Sequence, residues 1–579
     1  MITEMNKNKK YKIFFIIPPY LSVEEVKSTE PESWMTSVTV PLGVTSLAAY
    51  IGKHVECDFK ILDLNVSIAK KQKEFEKQNW ETFLKNELNE VNKVFKPEIV
   101  GITAIFNPQI GYLKLATEIC RKHWPDSIII GGGGGISTHL SEQVLDQSPC
   151  LDGLAVGEGE IPLLKLIKSD NRKDFLQTSN SWKTKENIVS GVVFNHEFVQ
   201  DLDDIPFLRY DLIDEGFGID RHVDGMVHEA KNEYNNKARF HSGRDEETVT
   251  ASIMSSRGCP FLCTFCASHT IHGRTMRYHS PKRVVGDALR LKKEYGVNTI
   301  LFEDDLVFAN QLKTIEIIKA LADEGFKMDF SSGLSVAHVN EKTAAAMKYA
   351  GMTVAKLAVE TGSERILNLI KKPYRKLEKA KRAVKILRNN DMFVRGFWII
   401  GFPEESLEEI HESYEFFKTT GFNWVSIMLA SPIAGSDLYV HCKGNNLLLN
   451  DRIDTYHFGK ANIKLDHSTP EELETLRYRY NLRLNFVNNY DLRSNNPEKA
   501  LVGLEDVITR VPHHAFSAYY LSKCYKQLKD NKKADRYLDQ YYSIIGSNKK
   551  WYNYASEFGL PLKDNPETLQ QPKSMHLSA

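Results

Sequence analysis

Twice along this chain short apolar runs alternate with longer amphipathic ones, and few architectures accommodate that alternation. From about Tyr11 to Asp170 the segments are KIFFII, PLGVTSLAAYI, DFKILDL, EIVGITAIF, YLKLATEICRKHW, SIIIGGGGG and GLAVGEG. An apolar run of a few residues followed by an amphipathic segment predicts a strand buried on both faces and a crossover helix, hence a parallel, doubly wound sheet. From Thr248 the alternation resumes with TASIMSS, VNTILFED, MDFSSGL, VAKLAVETG, FVRGFWIIGFP and WVSIMLASP, separated by helical segments such as VVGDALRLKKEY and EKTAAAMKYAG. Six such units predict a partial or full βα barrel.

At 579 residues the chain exceeds one ordinary core. The fold class expected is α/β: a Rossmann-like domain over residues 10–200, a (β/α)6-type barrel over 248–440 and an α-helical region over 441–579. GVVFNHEFVQDL resembles a small hairpin leading out of the first domain, and the polar stretch from Tyr210 to Glu247 has no periodicity, which makes 201–247 the linker. Two similar phrases, NPEKALVGLEDVI and NKKADRYLDQYYSI, place Ala500 and Ala534 34 residues apart. That is the period of tetratricopeptide hairpins, expected around 495–545, although a plain helical cap fits so short a repeat equally well. LPLKDNPETLQQPKSMHLSA reads as a frayed tail.

Charge selects no partner, because 75 Lys and Arg balance 75 Asp and Glu, leaving no overall attraction to nucleic acid or an anionic membrane. No apolar run is long enough to span a bilayer and MITEMNKNKKYK lacks the apolar core of a secretion signal, so a cytoplasmic protein is expected. Of eight cysteines, Cys57, Cys120, Cys150, Cys442 and Cys524 stand alone while Cys259, Cys263 and Cys266 cluster. That is ligand usage, not a disulfide framework.

Cys259-Pro-Phe-Leu-Cys263-Thr-Phe-Cys266 places three thiols within eight residues, directly after the strand-like TASIMSS. Three soft ligands on one loop suit an iron–sulfur cubane. Three ligands for four irons leave one iron an open position, which is what a substrate-binding cluster needs. A zinc site completed by His269 is the alternative. Phe265 stands where it could pack against a cluster or an adenine.

The phrase SSRGCPFLCTFCASHTIHGRTMRYHSP resembles the radical SAM superfamily, and in particular its cobalamin-binding branch, over roughly residues 10 to 440. In that family the open iron chelates S-adenosylmethionine (SAM), and an electron from the cluster cleaves the sulfonium to a 5′-deoxyadenosyl radical. The resemblance implies that Cys259, Cys263 and Cys266 hold a [4Fe-4S] cluster and that SAM is bound by the residues closing each strand. Glu303-Asp304-Asp305 stands where the family receives the SAM amino group, with a solvated acidic loop as the alternative. Ser331, Ser332 and Gly333 close the third strand, and Glu360-Thr361-Gly362-Ser363 resembles the motif associated with the ribose and methionine moiety. Gly401-Phe402-Pro403 and Ser431-Pro432 resemble turns that approach the adenine. Ser335 stands where many relatives carry an arginine, leaving Lys356 or Arg395 to balance the SAM carboxylate. His269, His272 and His279 read as loop or packing residues, one of which could serve a proton transfer.

In a doubly wound sheet ligands bind at the carboxyl ends of the strands. Those ends carry Pro18-Pro19, Asp63 and Asn65, Thr103 to Phe106, Gly131, Gly132 and Gly133 within a pentaglycine, and Gly157-Glu158-Gly159-Glu160. A glycine run lets the backbone approach a large ring or a phosphate. No GxGxxG follows the first strand, so a plain nucleotide-binding domain, or one without ligand, is the alternative. VGEGE and the glycine run resemble the cobalamin-binding domain of the radical SAM branch. The Asp-x-His-x-x-Gly loop of methionine synthase and the mutases is missing, with Asp63-Leu64-Asn65 in a comparable place. Cobalt without a histidine ligand is therefore expected, covered by side chains from Ile105 to Asn107.

The resemblance implies a cobalamin-dependent radical SAM methyltransferase acting on an unactivated carbon of a small molecule, lipid or natural-product intermediate. The alternative within enzymes is a radical oxidative cyclase or ring-rearranging enzyme, as in the anaerobic magnesium-protoporphyrin ester cyclase. A cofactor sensor with a protein partner on the C-terminal helices is the reading outside catalysis. A reductant such as flavodoxin or ferredoxin is expected, and substrate contacts would come from residues 210–247 and the C-terminal helices.

Overall fold

The computed structural model describes residues 10–20, 40–75, 78–213, 249–450, 452–456 and 458–562. They fall into two compact units, Met1–Asn481 and Leu482–Ala579. Most of the called linker, 214–247, and most of the frayed tail, 563–579, lie outside the described residues.

The apolar runs at the start of the first unit become β1 (Tyr11–Ile17), β2 (Cys57–Asp63), β3 (Ile99–Thr103), β4 (Ile128–Gly132), β5 (Gly153–Ala155) and β6 (Trp182–Lys183). Their order is β2-β1-β3-β4-β5-β6, parallel except for the antiparallel pair β5–β6. Alternate residues of each strand feed opposite faces. Phe14, Ile16, Val100, Ile102 and Ile129 pack on Trp80, Phe83 and Tyr112, while Ile13, Phe15, Ile17, Ile99, Ile128 and Ile130 pack on Val44, Ile51 and Leu163. β1 has β2 on one side and β3 on the other, so the strand order reverses there and opens a crevice beyond Ile17 and Thr103.

Gly133 turns the chain out of β4 at φ +113°, and a Cβ there would stand 2.5 Å from the Ala104 carbonyl oxygen. Gly133→Ala is expected to cost at least about 1–3 kcal/mol from backbone strain alone, read as a lower urea midpoint.

The second series supplies β7 (Thr250–Ile253), β10 (Thr299–Phe302), β11 (Lys327–Phe330), β12 (Leu334–Ser335), β13 (Val354–Glu360), β14 (Phe393–Ile400) and β15 (Trp424–Leu429), with a short pair β8 (Ser256–Arg257) and β9 (Arg277–Tyr278) between β7 and β10. The long strands are parallel, in two sheets ordered β11-β10-β7 and β12-β13-β14-β15. β11 and β12 are one run broken by Ser331-Ser332-Gly333, where Gly333 takes φ +78°. Helices start soon after the strand ends because a polar residue receives their first amides: Ser280, Asn310, Asn340 and Ser406 each accept a backbone N–H two or three residues on.

Residues 441–481 belong to the first unit, with the barrel. Cys442 and Ile463 share a core with Ile399, Phe402 and Leu438. GVVFNHEFVQDL forms no hairpin: β6 already closes that edge of the sheet, and the amides of Val192 and Asn195 donate to the Asn187 and Asn180 carbonyls. Residues 201–213 are pinned, since the buried Tyr210 hydroxyl donates to the Ser252 carbonyl of β7 at 2.8 Å. In the second unit four helices, Pro497–Arg510, Ala515–Gln527, Asn531–Ser547 and Lys549–Glu557, follow one another. Asn496 and Asp530, 34 positions apart, cap equivalent helices, and Ala500 and Ala534 are buried at equivalent places.

Candidate functional site

The cysteine loop leaves the carboxyl end of β7 and is closed at its base by β8 and β9, with Arg257 opposite Arg277. Gly258 opens it at φ +100°, where a Cβ would stand 2.5 Å from the Thr275 carbonyl oxygen. Backbone bonds hold it in place: Cys259 N–H to Gly273 O at 3.2 Å, Thr264 N–H to Ile370 O at 3.1 Å, and Leu438 N–H to Thr264 O at 2.8 Å. All three thiols are half-buried. Burial pushes the Cys259 thiol up to about 11, and burial raises Cys263 too, with Lys372 opposing that rise.

Among the described residues no group of three His, Cys, Asp or Glu side chains stands close enough to hold a single metal ion. A cubane spreads its three thiolates over separate irons, and three thiols on one loop match that demand in number and chemistry.

The strand ends sort the predicted residues. Glu303, after β10, accepts from Ser252 of β7 at 3.1 Å and from Ser331 after β11 at 2.9 Å; burial raises its carboxyl. Asp304 is fully engaged, contrary to the expectation of an open carboxylate. It accepts from the Ser255 amide at 3.0 Å, the Ser255 hydroxyl at 2.7 Å and the Ser256 hydroxyl at 2.6 Å, so it shapes the entry to the cysteine loop. Asp305 keeps one buried oxygen without a partner. Ser332 lies exposed in the turn before β12, and Pro432 is buried after β15.

Glu360 ends β13 at φ +75°, a left-handed conformation that costs a non-glycine residue energy. Its carboxylate accepts from Lys372 at 3.1 Å, both side chains being buried. The Lys372 ammonium lies 5.8 Å from the Phe265 ring centroid, and the thiols of Cys263 and Cys266 act on it. Phe265 packs in turn on Phe402, centroids 6.1 Å apart. Lys372 was not foreseen, because nothing in the sequence separates it from Lys371; only burial singles it out. Lys356, foreseen as a balancing charge, is paired with Asp329 at 2.7 Å, and Arg395 donates to Ser426 at 2.7 Å. Gly362 is required by packing: its amide donates to Ser413 at 2.8 Å and a Cβ would stand 2.6 Å from Phe416. The amide of Gly401, at φ +88°, donates to Glu405 at 2.7 Å; burial raises that carboxyl to about 8 and leaves its other oxygen unpartnered.

In the first-domain crevice Asp63 caps the next helix through the Asn65 amide at 2.9 Å, and burial pushes its carboxyl up to about 6. Asn65 accepts from the Tyr20 amide at 2.9 Å. Gln109, not foreseen, braces the β3 loop by accepting from the amides of Ile105 and Phe106 at 2.8 and 3.1 Å while donating to Pro18 O at 2.9 Å. Asp63 Oδ2, Asn107 Nδ2 and Thr138 Oγ1 are buried without partners where the chain leaves β2, β3 and β4, and the β3 loop also carries Ile105 and Phe106, which are 41% and 50% exposed. Unmet polar atoms together with open apolar side chains at these strand ends fit a large, amide-rimmed ring such as cobalamin. Thr103 closes β3 at this rim.

The glycines need a different account from the one expected. A Cβ on Gly131 would meet Leu154 at 2.7 Å, on Gly134 Ile271 at 2.8 Å, and on Gly159 Leu47 at 3.0 Å, whereas Gly132 has 3.9 Å of room. Close packing of protein on protein demands most of them. Glu158 is likewise occupied: Arg277 donates to it at 2.6 and 2.9 Å and His272 Nδ1 lies at 2.8 Å. Burial alone would raise this carboxyl, but Arg277, His272 and Arg257 hold it down at about 2 against an ordinary 4.5. A depressed carboxyl adds stability that is complete above 4.5 and lost as pH falls toward 2. The contribution is roughly 3 kcal/mol. Unfolding free energies from pH 6 to 3 should fall more steeply in the native chain than in Glu158→Gln, with the difference isolating this carboxylate from Asp63 and Glu405, whose raised values have the opposite sign.

A three-cysteine loop over the strand ends of a parallel βα barrel, behind a doubly wound domain, defines a class, and residues 253–417 match the Radical SAM superfamily. Those residues of the chain form a radical SAM domain. The chain is 29% identical, over 81% of its length and 91% of the relative's, to an uncharacterized methyltransferase of Pyrococcus horikoshii. It is 28% identical, over 70% and 78%, to the cytidylyl-2-hydroxyethylphosphonate methyltransferase of Streptomyces wedmorensis. The fold is shared with the cobalamin-dependent SAM radical enzyme OxsB, solved with aqua-cobalamin, at TM-score 0.61 and 16% identity over 96% of this chain and 82% of that one. No helix among the described residues is long and apolar enough to cross a membrane.

Proposed function

We propose that this protein is a cobalamin-dependent radical SAM methyltransferase that acts on an unactivated carbon of a small molecule or lipid. The observation that carries the reading is the pairing of two cofactor-shaped sites in one unit: the thiol loop over the barrel, and a crevice of unmet polar atoms and exposed Ile105 and Phe106 in the first domain. Bound there, the cluster would supply the electron that cleaves SAM and cobalamin would carry the methyl group.

The residues of the chain have definite parts in this reading. Cys259, Cys263 and Cys266 hold the cluster. Glu303 and the free oxygen of Asp305 offer acceptors to an ammonium, and Lys372, which the thiols of Cys263 and Cys266 act on while it pairs with Glu360, joins Arg395 as a cation to balance the SAM carboxylate. Phe265, backed by the buried Phe402, offers an aromatic face for the adenine, with the Gly401 turn nearby. Asp63, Asn65 and Asn107 line the first-domain crevice, where Ile105 and Phe106 offer a face without a histidine. A flavodoxin or ferredoxin is the reductant to try.

Anaerobic reconstitution with iron, sulfide and hydroxocobalamin, followed by reduction in the presence of SAM, tests the reading. Retained cobalamin with both 5′-deoxyadenosine and S-adenosylhomocysteine is the expected result. Deoxyadenosine without S-adenosylhomocysteine, even when candidate substrates are added, would favour the oxidative or cyclase reading.

A further inference from the structure

The loop after β5 meets the β8–β9 hairpin through a closed knot of charge. Arg277 grips Glu158 with both terminal nitrogens, at 2.9 and 2.6 Å. Arg257 reaches Glu158 at 3.2 Å and Glu160 at 2.9 Å, and donates to the Ser46 hydroxyl at 2.9 Å, which itself donates to Glu160 at 2.7 Å. His272 completes the ring at 2.8 Å from Glu158. The side chains of Glu158, Glu160, Arg277 and Arg257 are 2%, 4%, 5% and 8% exposed. Around the knot the backbones are pressed together: a Cβ on Gly157 would meet His196 at 2.5 Å and the Ile271 carbonyl at 3.2 Å, and one on Gly134 would meet Ile271 at 2.8 Å.

One half of this contact, Gly134 with Gly157 to Glu160, belongs to the strand ends of the first domain, and the other half, Arg257 with Ile271, His272 and Arg277, frames the cysteine loop. Burying so many charges is expensive in desolvation, and apolar packing would hold two surfaces together at less cost. What a bidentate guanidinium–carboxylate pair adds is direction, since it is satisfied in one orientation only. We propose that Glu158 is a positioning residue: its carboxylate pins the cysteine loop to the crevice of the first domain and so sets the spacing and orientation of the two cofactor sites. The inference rests on the reading of those sites given above. Cleavage of SAM to deoxyadenosine needs the barrel alone, whereas methyl transfer needs both sites in register, so loosening the pin should separate the two products.

Hydrogen exchange on the full chain without cofactors tests the pin directly. In Glu158→Gln the exchange of the amides of 131–137 and 266–278 should rise at least tenfold more than that of β1, β3, β10 and β14, which follows only the overall loss of stability. In the reconstituted protein the same substitution should leave iron, sulfide and cobalamin within twofold of native and deoxyadenosine within threefold, while S-adenosylhomocysteine per deoxyadenosine falls at least tenfold. Arg277→Lys, which keeps the charge but loses the fork, should shift exchange and product ratio in the same direction by less. Unchanged exchange at both segments overturns the inference, as does exchange that rises evenly through every strand, because the carboxylate would then serve stability at large. A native protein that takes up no cobalamin would sink the methyltransferase reading instead, and the exchange result would still decide the pin.

Discussion

Cys263→Ala should reduce deoxyadenosine formation to background while leaving cobalamin uptake intact. The middle thiol of the loop is half-buried, and its removal leaves two thiols on a loop that supplies three to the cluster. Cobalamin should persist because the first domain has its own six-stranded sheet, with an apolar core on each face. Iron and sulfide analysis, the electron paramagnetic resonance spectrum of the reduced protein and the visible spectrum of bound cobalamin read the two outcomes separately. Deoxyadenosine above background from this variant would remove the cluster assignment. Loss of cobalamin with native circular dichroism would mean that the crevice depends on the loaded loop.

Lys372→Met should have the largest effect on stability. It leaves Glu360 buried, in a left-handed backbone conformation and without its cation, and an uncompensated buried charge costs about 3–5 kcal/mol. Lys372→Met with Glu360→Gln should recover most of that loss, because the lone charge is gone. Urea unfolding of the two single variants and the double variant gives the coupling. The same ammonium opposes the burial-driven rise of the Cys263 thiol, so its removal should also lower the midpoint potential of a bound cluster, since a positive charge favours the more negative, reduced state. A Lys372→Met protein as stable as the native one, with an unchanged redox titration, would contradict the assigned place of this lysine.

Much of the architecture was open to reading because its causes are local. KIFFII, EIVGITAIF and SIIIGGGGG are β-branched and apolar over the length of a strand, and the alternation of their side chains between two faces follows from the pleat. The cysteine loop is equally local, three ligands within eight residues directly after a strand. GVVFNHEFVQDL misled because a pair of apolar runs without a turn between them does not say whether a partner edge is free, and β6 had taken it.

Charged side chains were the other gap, for a related reason. Glu303, Asp304 and Asp305 are indistinguishable in a row, yet one braces three strand ends, one is consumed by Ser255 and Ser256, and one keeps an unpartnered oxygen. Glu158 looked like a ligand of the crevice and proved to hold Arg277, 119 positions away. Lys372 carries no mark in the sequence and is buried against Glu360. Strand, helix cap, turn and cysteine spacing follow from interactions within a few residues, so the order of amino acids is enough to specify them. The partner of a buried charge follows from a Coulomb and hydrogen-bond balance taken through space, at distances of about 3 Å, between segments that only the packed chain brings together.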